Sequence, residues 1–167
     1  GFFVFMGNLF DSALLKPSVI SQEFRARCLS EPGKENRFQG RAIVFDGPED
    51  YHDRINDPNL NIDATCLLFI RGCGPIGYPG SAEVVNMLPP DALVRPGVTE
   101  LPCFCDGRQS GTCRTTAILN ASPESAAAGG PAIFTTGDTT RSPCNNPSCT
   151  VQPSDAQRKT TRAAPGP

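Results

Sequence analysis

The chain has 167 residues, with 15 basic and 17 acidic side chains and a formal net charge of −2. That length buries one core and forms one domain. The near-neutral balance offers no broad basic surface for nucleic acid, and no apolar run approaches the length of a membrane span. Seventeen prolines and sixteen glycines predict many turns and short elements.

In chain order, Phe2-Phe3-Val4-Phe5-Met6 is apolar but short and has no basic flank. It reads as a strand and not as a signal peptide. A start on Gly1 instead of Met fits a fragment, and the expected compartment is the cytoplasm. Residues 41–45 and 66–70 are apolar runs bounded by Gly and Asp, the pattern of buried strands. Between them, Pro48 opens a helix over about 48–56, with Glu49 and Asp50 at its positive end. Ser81 is placed to cap a second helix over about 82–88, stopped by Pro89-Pro90. Residues 99–105 read as a further strand ending at Asp106-Gly107. Ser122-Pro123-Glu124 reads as a cap and first turn for Ser125–Ala128, stopped by Gly129-Gly130. Residues 132–136 read as a strand before the turn signal Gly137-Asp138.

After Asp138 the composition changes. Residues 141–167 carry Pro, Ser, Thr, Asn and Arg and almost no large apolar side chain, with a net charge of about +3 from Arg141, Arg158, Lys159 and Arg162 against Asp155. Such a segment buries too little surface to offset its ordering entropy. The expected division is a folded domain over 1–140 and a disordered or aberrant tail over 141–167. Strands with interspersed short helices suit a barrel decorated by helices, and the pattern alone also allows an open α/β sheet.

Eight cysteines, Cys28, Cys66, Cys73, Cys103, Cys105, Cys113, Cys144 and Cys149, invite a disulfide or metal-binding reading. A chain of this length with no export signal does not need such staples. Cys103-Phe104-Cys105 and Cys144-(x4)-Cys149 lack ordinary zinc spacing. Cys66 and Cys103 lie in apolar strands and read as small buried hydrophobes. His52, the single histidine, sits in a charged helix and reads as a solvated surface residue.

Two segments carry the chemistry. Gly77-Tyr78-Pro79-Gly80-Ser81-Ala82-Glu83 sets a carboxylate just inside the expected helix. Asp106-Gly107-Arg108-Gln109-Ser110-Gly111-Thr112 sets two hydroxyls in a glycine-flexed loop after an apolar strand. Asp106 and Arg108 are placed to pair and hold that loop. The stretch from Gly72 to Gly80 brings backbone amides close enough to line an anion such as a carboxylate. No Gly-Lys-Ser/Thr follows, so it is not a phosphate loop. On residue type alone, Glu83 is equally a first-turn glutamate and Ser110 a turn serine.

Together the segments resemble the C-terminal domain of the dihydroxyacid and sugar-acid dehydratases, the family that includes phosphogluconate dehydratase. The resemblance extends to Gly7-Asn8-Leu9-Phe10-Asp11-Ser12-Ala13, to Gly40–His52, to Leu68-Phe69-Ile70-Arg71-Gly72 and to Ile118–Glu124. It covers about Gly7 to Asp138 and is closest to the sugar-acid branch, whose members act on aldonates such as arabinonate or xylonate. Branched-chain members would carry an aromatic residue at Gln109 and a histidine at Asn120. The resemblance implies a mixed β/α fold, a β-barrel of the swivelling type flanked by short helices. It also implies that a larger N-terminal half, absent from this sequence, carries an iron–sulfur cluster and further magnesium ligands, and that the full enzyme is a homo-oligomer.

The reaction so implied removes water from a 2,3-dihydroxy acid to give a 2-keto-3-deoxy acid. The C2 proton lies beside a carboxylate and is weakly acidic, so its removal calls for a strong base and a cation. By resemblance, Glu83 is the Mg²⁺ ligand of this domain, Ser110 the base acting as an alkoxide, and Thr112 a hydrogen-bonding partner of the substrate. The iron–sulfur cluster is not bound by this chain. A serine reaches that role only where cations and backbone donors lower its pKa by many units. The chain departs from the branch at Cys113-Arg114-Thr115-Thr116-Ala117, where small residues are expected, at Phe104-Cys105 and at Cys73. These changes put bulk and charge beside Ser110. They favour the alternative reading, a non-catalytic fragment that acts at most as a binding or assembly domain.

Overall fold

The computed structural model describes residues 1–32, 35, 37–84, 87–109, 114–143 and 148–152. In chain order it comprises strands β1 (Phe3–Gly7) and β2 (Ser12–Leu15), helix α1 (Gln22–Cys28), strand β3 (Arg37–Asp46), helix α2 (Gly47–Arg54), and strands β4 (Leu67–Arg71) and β5 (Glu83–Val84). Helix α3 (Asp91–Val94) and strands β6 (Cys103–Cys105), β7 (Arg108–Gln109), β8 (Ala117–Ser122), β9 (Thr139–Pro143) and β10 (Ser148–Gln152) complete it. Eight strands close a barrel in the order β1-β10-β9-β3-β4-β6-β8-β2, and β5 and β7 form a separate two-stranded sheet. The expected barrel with short helices is the architecture found.

The central strands β3, β4, β6 and β8 are mutually parallel. Their side chains alternate between two cores, as the period of a strand dictates. Ala42, Val44, Leu67, Phe69, Phe104 and Ile118 join Phe10, Leu15 and Phe134 in one cluster, to which α1 adds Phe24. Ile43, Phe45, Leu68, Ile70, Cys103 and Cys105 join Tyr51 and Ile55 of α2 in the other. Burial on both faces is why 41–45 and 66–70 read as unbroken apolar runs.

Helix α2 starts where its proline and acids predict, and Asp50 pairs with Arg54 one turn later at 2.8 Å. Helix α1 was not anticipated; Ser21 caps it by accepting from the Phe24 amide at 3.1 Å. Three expectations are corrected. No helix begins at Ser81: its φ is +44°, whereas a capping residue needs extended backbone, and Glu83-Val84 forms β5 instead. Residues 132–136 are not a strand, because Pro131 opens a 3₁₀ turn over Gly130–Ile133. The Ser125–Ala128 helix is a single 3₁₀ turn, Ser125–Ala127, and Ser122 belongs to β8. Residues 139–143 and 148–152 complete the barrel by pairing with β3 and β1. The remainder of the expected tail, 144–147 and 153–167, lies outside the described residues.

Candidate functional site

Because β3, β4, β6 and β8 run the same way, Asp46, Arg71, Cys105 and Ser122 end them at one edge of the barrel. The carboxyl ends of parallel strands are where ligands lodge in such sheets. Arg71 braces this edge. Its Nε meets Asp46 Oδ1 at 2.5 Å, and its Nη1 donates to the carbonyls of Ala132 and Phe134 at 2.7 and 2.8 Å.

Two buried carboxylates organise the loops that leave the edge. Asp106, 2% exposed, follows β6. Its Oδ2 accepts from the amides of Gly72 and Ser125 and its Oδ1 from that of Cys73, each at 2.9 Å. Glu124 follows β8 and accepts from Ile76 at 2.8 Å and from Gly77 at 3.2 Å. The role of Glu124 had no sequence signal beyond its place in an acidic first turn. These bonds correct the expectation that the glycine-rich stretch lines a substrate carboxylate. The amides of Gly72, Cys73, Ile76 and Gly77 bind the chain's own carboxylates, and those of Tyr78 and Ser81 bind the carbonyls of Gly74 and Tyr78.

Downstream of that loop, β5 pairs in parallel with β7, with Glu83 opposite Arg108 and Val84 opposite Gln109. Arg108 Nε also donates to the Ser81 carbonyl at 2.8 Å. Asp106 and Arg108 therefore each hold the loop through backbone groups and not through each other. Glu83 is exposed and lies in a strand, not in the first turn of a helix. Ser110 and Thr112 lie outside the described residues. The last residue of β7, Gln109, precedes Ser110 directly.

The departures are accommodated in specific ways. Arg114 is exposed and directs its guanidinium to Glu100 at 3.3 Å and Glu23 at 3.5 Å, which neutralise its charge on the α1 side. Thr115 and Thr116 are buried. Cys73 and Cys105 are partners: a hydrogen bond with the Cys73 sulfur that favours the protonated form, together with burial, holds the Cys105 thiol well above its ordinary pKa. That makes it a poor nucleophile near neutral pH. Cys28, Cys66, Cys73, Cys103 and Cys105 are free thiols, and Cys66 and Cys103 are buried as expected. His52 is exposed on α2.

Among the described residues, no group of three or more His, Cys, Asp or Glu side chains converges as a metal site. Glu83, an exposed oxygen donor, fits one place in the shell of a hard cation such as Mg²⁺. No helix of the described residues is long and apolar enough to cross a membrane.

The comparison with known proteins bears on the same segments. The family model described as dihydroxy-acid/6-phosphogluconate dehydratase, C-terminal, matches residues 1–166. D-xylonate dehydratase of Caulobacter vibrioides is 61% identical over 149 residues, which are 89% of this chain and 25% of that protein. L-arabinonate dehydratase of Rhizobium leguminosarum bv. trifolii is 40% identical over 139 residues, covering 83% of this chain and 22% of that protein. A 6-deoxy-6-sulfo-D-gluconate dehydratase of Pseudomonas putida is 36% identical over 133 residues, covering 79% and 21%. The chain thus spans about a quarter of the length of the curated relatives it matches. With a barrel built from the matched segments and a family model that runs through nearly all of it, the chain belongs to the dihydroxy-acid/6-phosphogluconate dehydratase family, in its C-terminal domain.

Proposed function

We propose that this chain is the part of a sugar-acid dehydratase that supplies the base and one metal ligand for converting an aldonate to its 2-keto-3-deoxy acid and water. Ser110 takes the C2 proton, Thr112 hydrogen-bonds the substrate, and Glu83 holds Mg²⁺. When bound, the cation would supply positive charge beside the reacting carboxylate. An iron–sulfur cluster, in a polypeptide of the relatives' length, would supply the Lewis acid for the leaving hydroxyl. The cluster-bearing region and a second copy of the enzyme are the expected partners, in a cytoplasmic enzyme. A five-carbon aldonate is the favoured substrate, because xylonate and arabinonate are named among the relatives.

One observation carries the reading: the parallel pairing of β5 with β7. It brings the strand of Glu83 alongside the strand that runs into Ser110, two segments 27 positions apart in the chain. A base and a cation must meet at adjacent atoms of one substrate, and the pairing of these two strands supports that reading. The departures that favoured a non-catalytic remnant lose weight where Arg114 turns to Glu100 and Glu23.

The test is a chimera in which this chain replaces the matching 149-residue region of the Caulobacter enzyme. It is assayed for 2-keto acid formed from D-xylonate and L-arabinonate. Ser110→Ala should lower kcat by about 10²-fold or more, and Glu83→Gln should raise the Mg²⁺ concentration needed for half-maximal rate. A chimera whose Ser110→Ala form turns over at the unsubstituted rate would refute the base assignment. A folded chimera inactive on every aldonate would refute the dehydratase reading of this chain.

A further inference from the structure

We infer that Asp106 is a positioning residue of this site, a buried carboxylate that ties the loop leading to Glu83 to the strand that runs into Ser110; the inference rests on the function proposed above. Both arms of the β5–β7 pair start at its carboxylate. One arm is covalent, running from Asp106 through Gly107 and Arg108-Gln109 to Ser110. The other starts at the amides of Gly72 and Cys73, bound to Asp106 at 2.9 Å, and runs along the glycine-rich loop to Glu83. The same carboxylate takes the Ser125 amide, which ties in the turn whose Glu124 holds the middle of that loop at Ile76 and Gly77. Three loops thus share one buried anion, and β5 and β7 pair only over two residues. So short a ladder cannot hold its own register.

The packing leaves no slack at this point. A Cβ at Gly107 would stand 2.3 Å from the Cys73 carbonyl oxygen, so the two arms touch immediately beyond Asp106. Asparagine at 106 keeps the volume but offers one acceptor where the aspartate offers two, and it turns an N–H toward an N–H. The arms then lose their common anchor while the barrel strands keep theirs.

Two measurements test this. Amide hydrogen exchange is followed in the 167-residue chain and in the chimera for peptides spanning 72–84, 106–112 and 123–127, with 41–46 of β3 as the internal reference. Asp106→Asn should speed exchange in the first three by about tenfold or more, while the reference keeps its protection. In the chimera the variant should raise the Mg²⁺ half-saturation concentration as well as lower kcat. Loss of folded enzyme alone would lower kcat without moving the Mg²⁺ requirement. Ser125→Pro is the milder companion if Asp106→Asn does not fold. It removes one of the three donors at a first-turn position that accepts proline, and it should show the same pattern at smaller amplitude. Unchanged exchange in 72–84 and 106–112 would overturn the inference, whatever the chimera does. So would faster exchange with an unmoved Mg²⁺ requirement. If the unsubstituted chimera is inactive, the proposed function fails instead, and the exchange result still decides whether Asp106 holds the two arms.

Discussion

Replacing Glu124 with glutamine tests whether the glycine-rich loop is held from inside. Glu124 is 8% exposed, and its two oxygens take the Ile76 and Gly77 amides at 2.8 and 3.2 Å. Glutamine keeps one acceptor and presents an NH₂ to the other amide. One charge-assisted bond is lost and the second becomes neutral, against an expected worth of about 1.5–3 kcal/mol for a bond to a charged group and about 1 kcal/mol for a neutral one. The net cost is then roughly 2–5 kcal/mol, a fall in melting temperature of about 5–15 °C for a domain of this size. Calorimetry on Glu124→Gln reads that fall, and limited proteolysis within 72–82 reads whether the loop opens before the barrel does. Glu124→Ala, which leaves both amides without their acceptor, should cost more. A Glu124→Gln protein that melts within about 1 °C of the parent and resists proteolysis equally would refute the clamp, since the loss of one charge-assisted bond and the weakening of another leave no route to so small an effect.

Other outcomes follow from single features. Burial, opposed in part by its hydrogen bond with Leu88, pushes Tyr51 up from 10.0 to about 12. A phenol raised on folding stabilises fully below pH 10 and loses that contribution as pH rises through about 12. Roughly 2–3 kcal/mol should therefore disappear across that window, and a denaturation series against pH should show Tyr51→Phe lacking this alkaline limb. Thr140 is wholly buried and its Oγ1 has no hydrogen-bond partner among the described residues; it lines a small apolar cavity with Phe10, Phe69, Phe104 and Phe134. Thr140→Val should stabilise by about 1 kcal/mol, and a lowered urea midpoint would show that the hydroxyl is partnered, for instance by a water. Phe2, Phe3, Val4 and Met6 are 45–66% exposed on and beside β1. The chain should accordingly bind a hydrophobic dye or self-associate, and Val4→Thr with Phe2→Ser should reduce both; a clean monomer without dye binding would contradict it.

Much of the fold was legible because it rests on local chemistry. The apolar runs at 41–45 and 66–70 are strands since both faces meet a core, and α2 begins where Pro48, Glu49 and Asp50 say it should. The failures share a cause. Within β9, Thr140 is fully buried between the less buried Thr139 and Arg141, and the strand Thr139–Pro143 owes its place to pairing with Arg37–Arg41. Nothing in its composition reports a partner a hundred residues away. Ser81 has a capping side chain on a backbone turned left-handed, and conformation decided against propensity. At the candidate site, the pairing of β5 with β7 is non-local and only two residues long, below what periodicity can reveal.

The glycine-rich loop shows how a motif can be informative for a reason other than the obvious one. Such a stretch suggests amides presented to an anion, and anions are indeed bound there. They are Asp106 and Glu124, which are part of the chain and are buried. Gly74 is required by this arrangement: a Cβ there would stand 2.0 Å from Glu124 Oε2. The loop therefore acts as a scaffold held from inside by the chain's own carboxylates, with Glu83 at its far end. The same packing accommodates Cys73 within the loop, where its thiol meets that of Cys105.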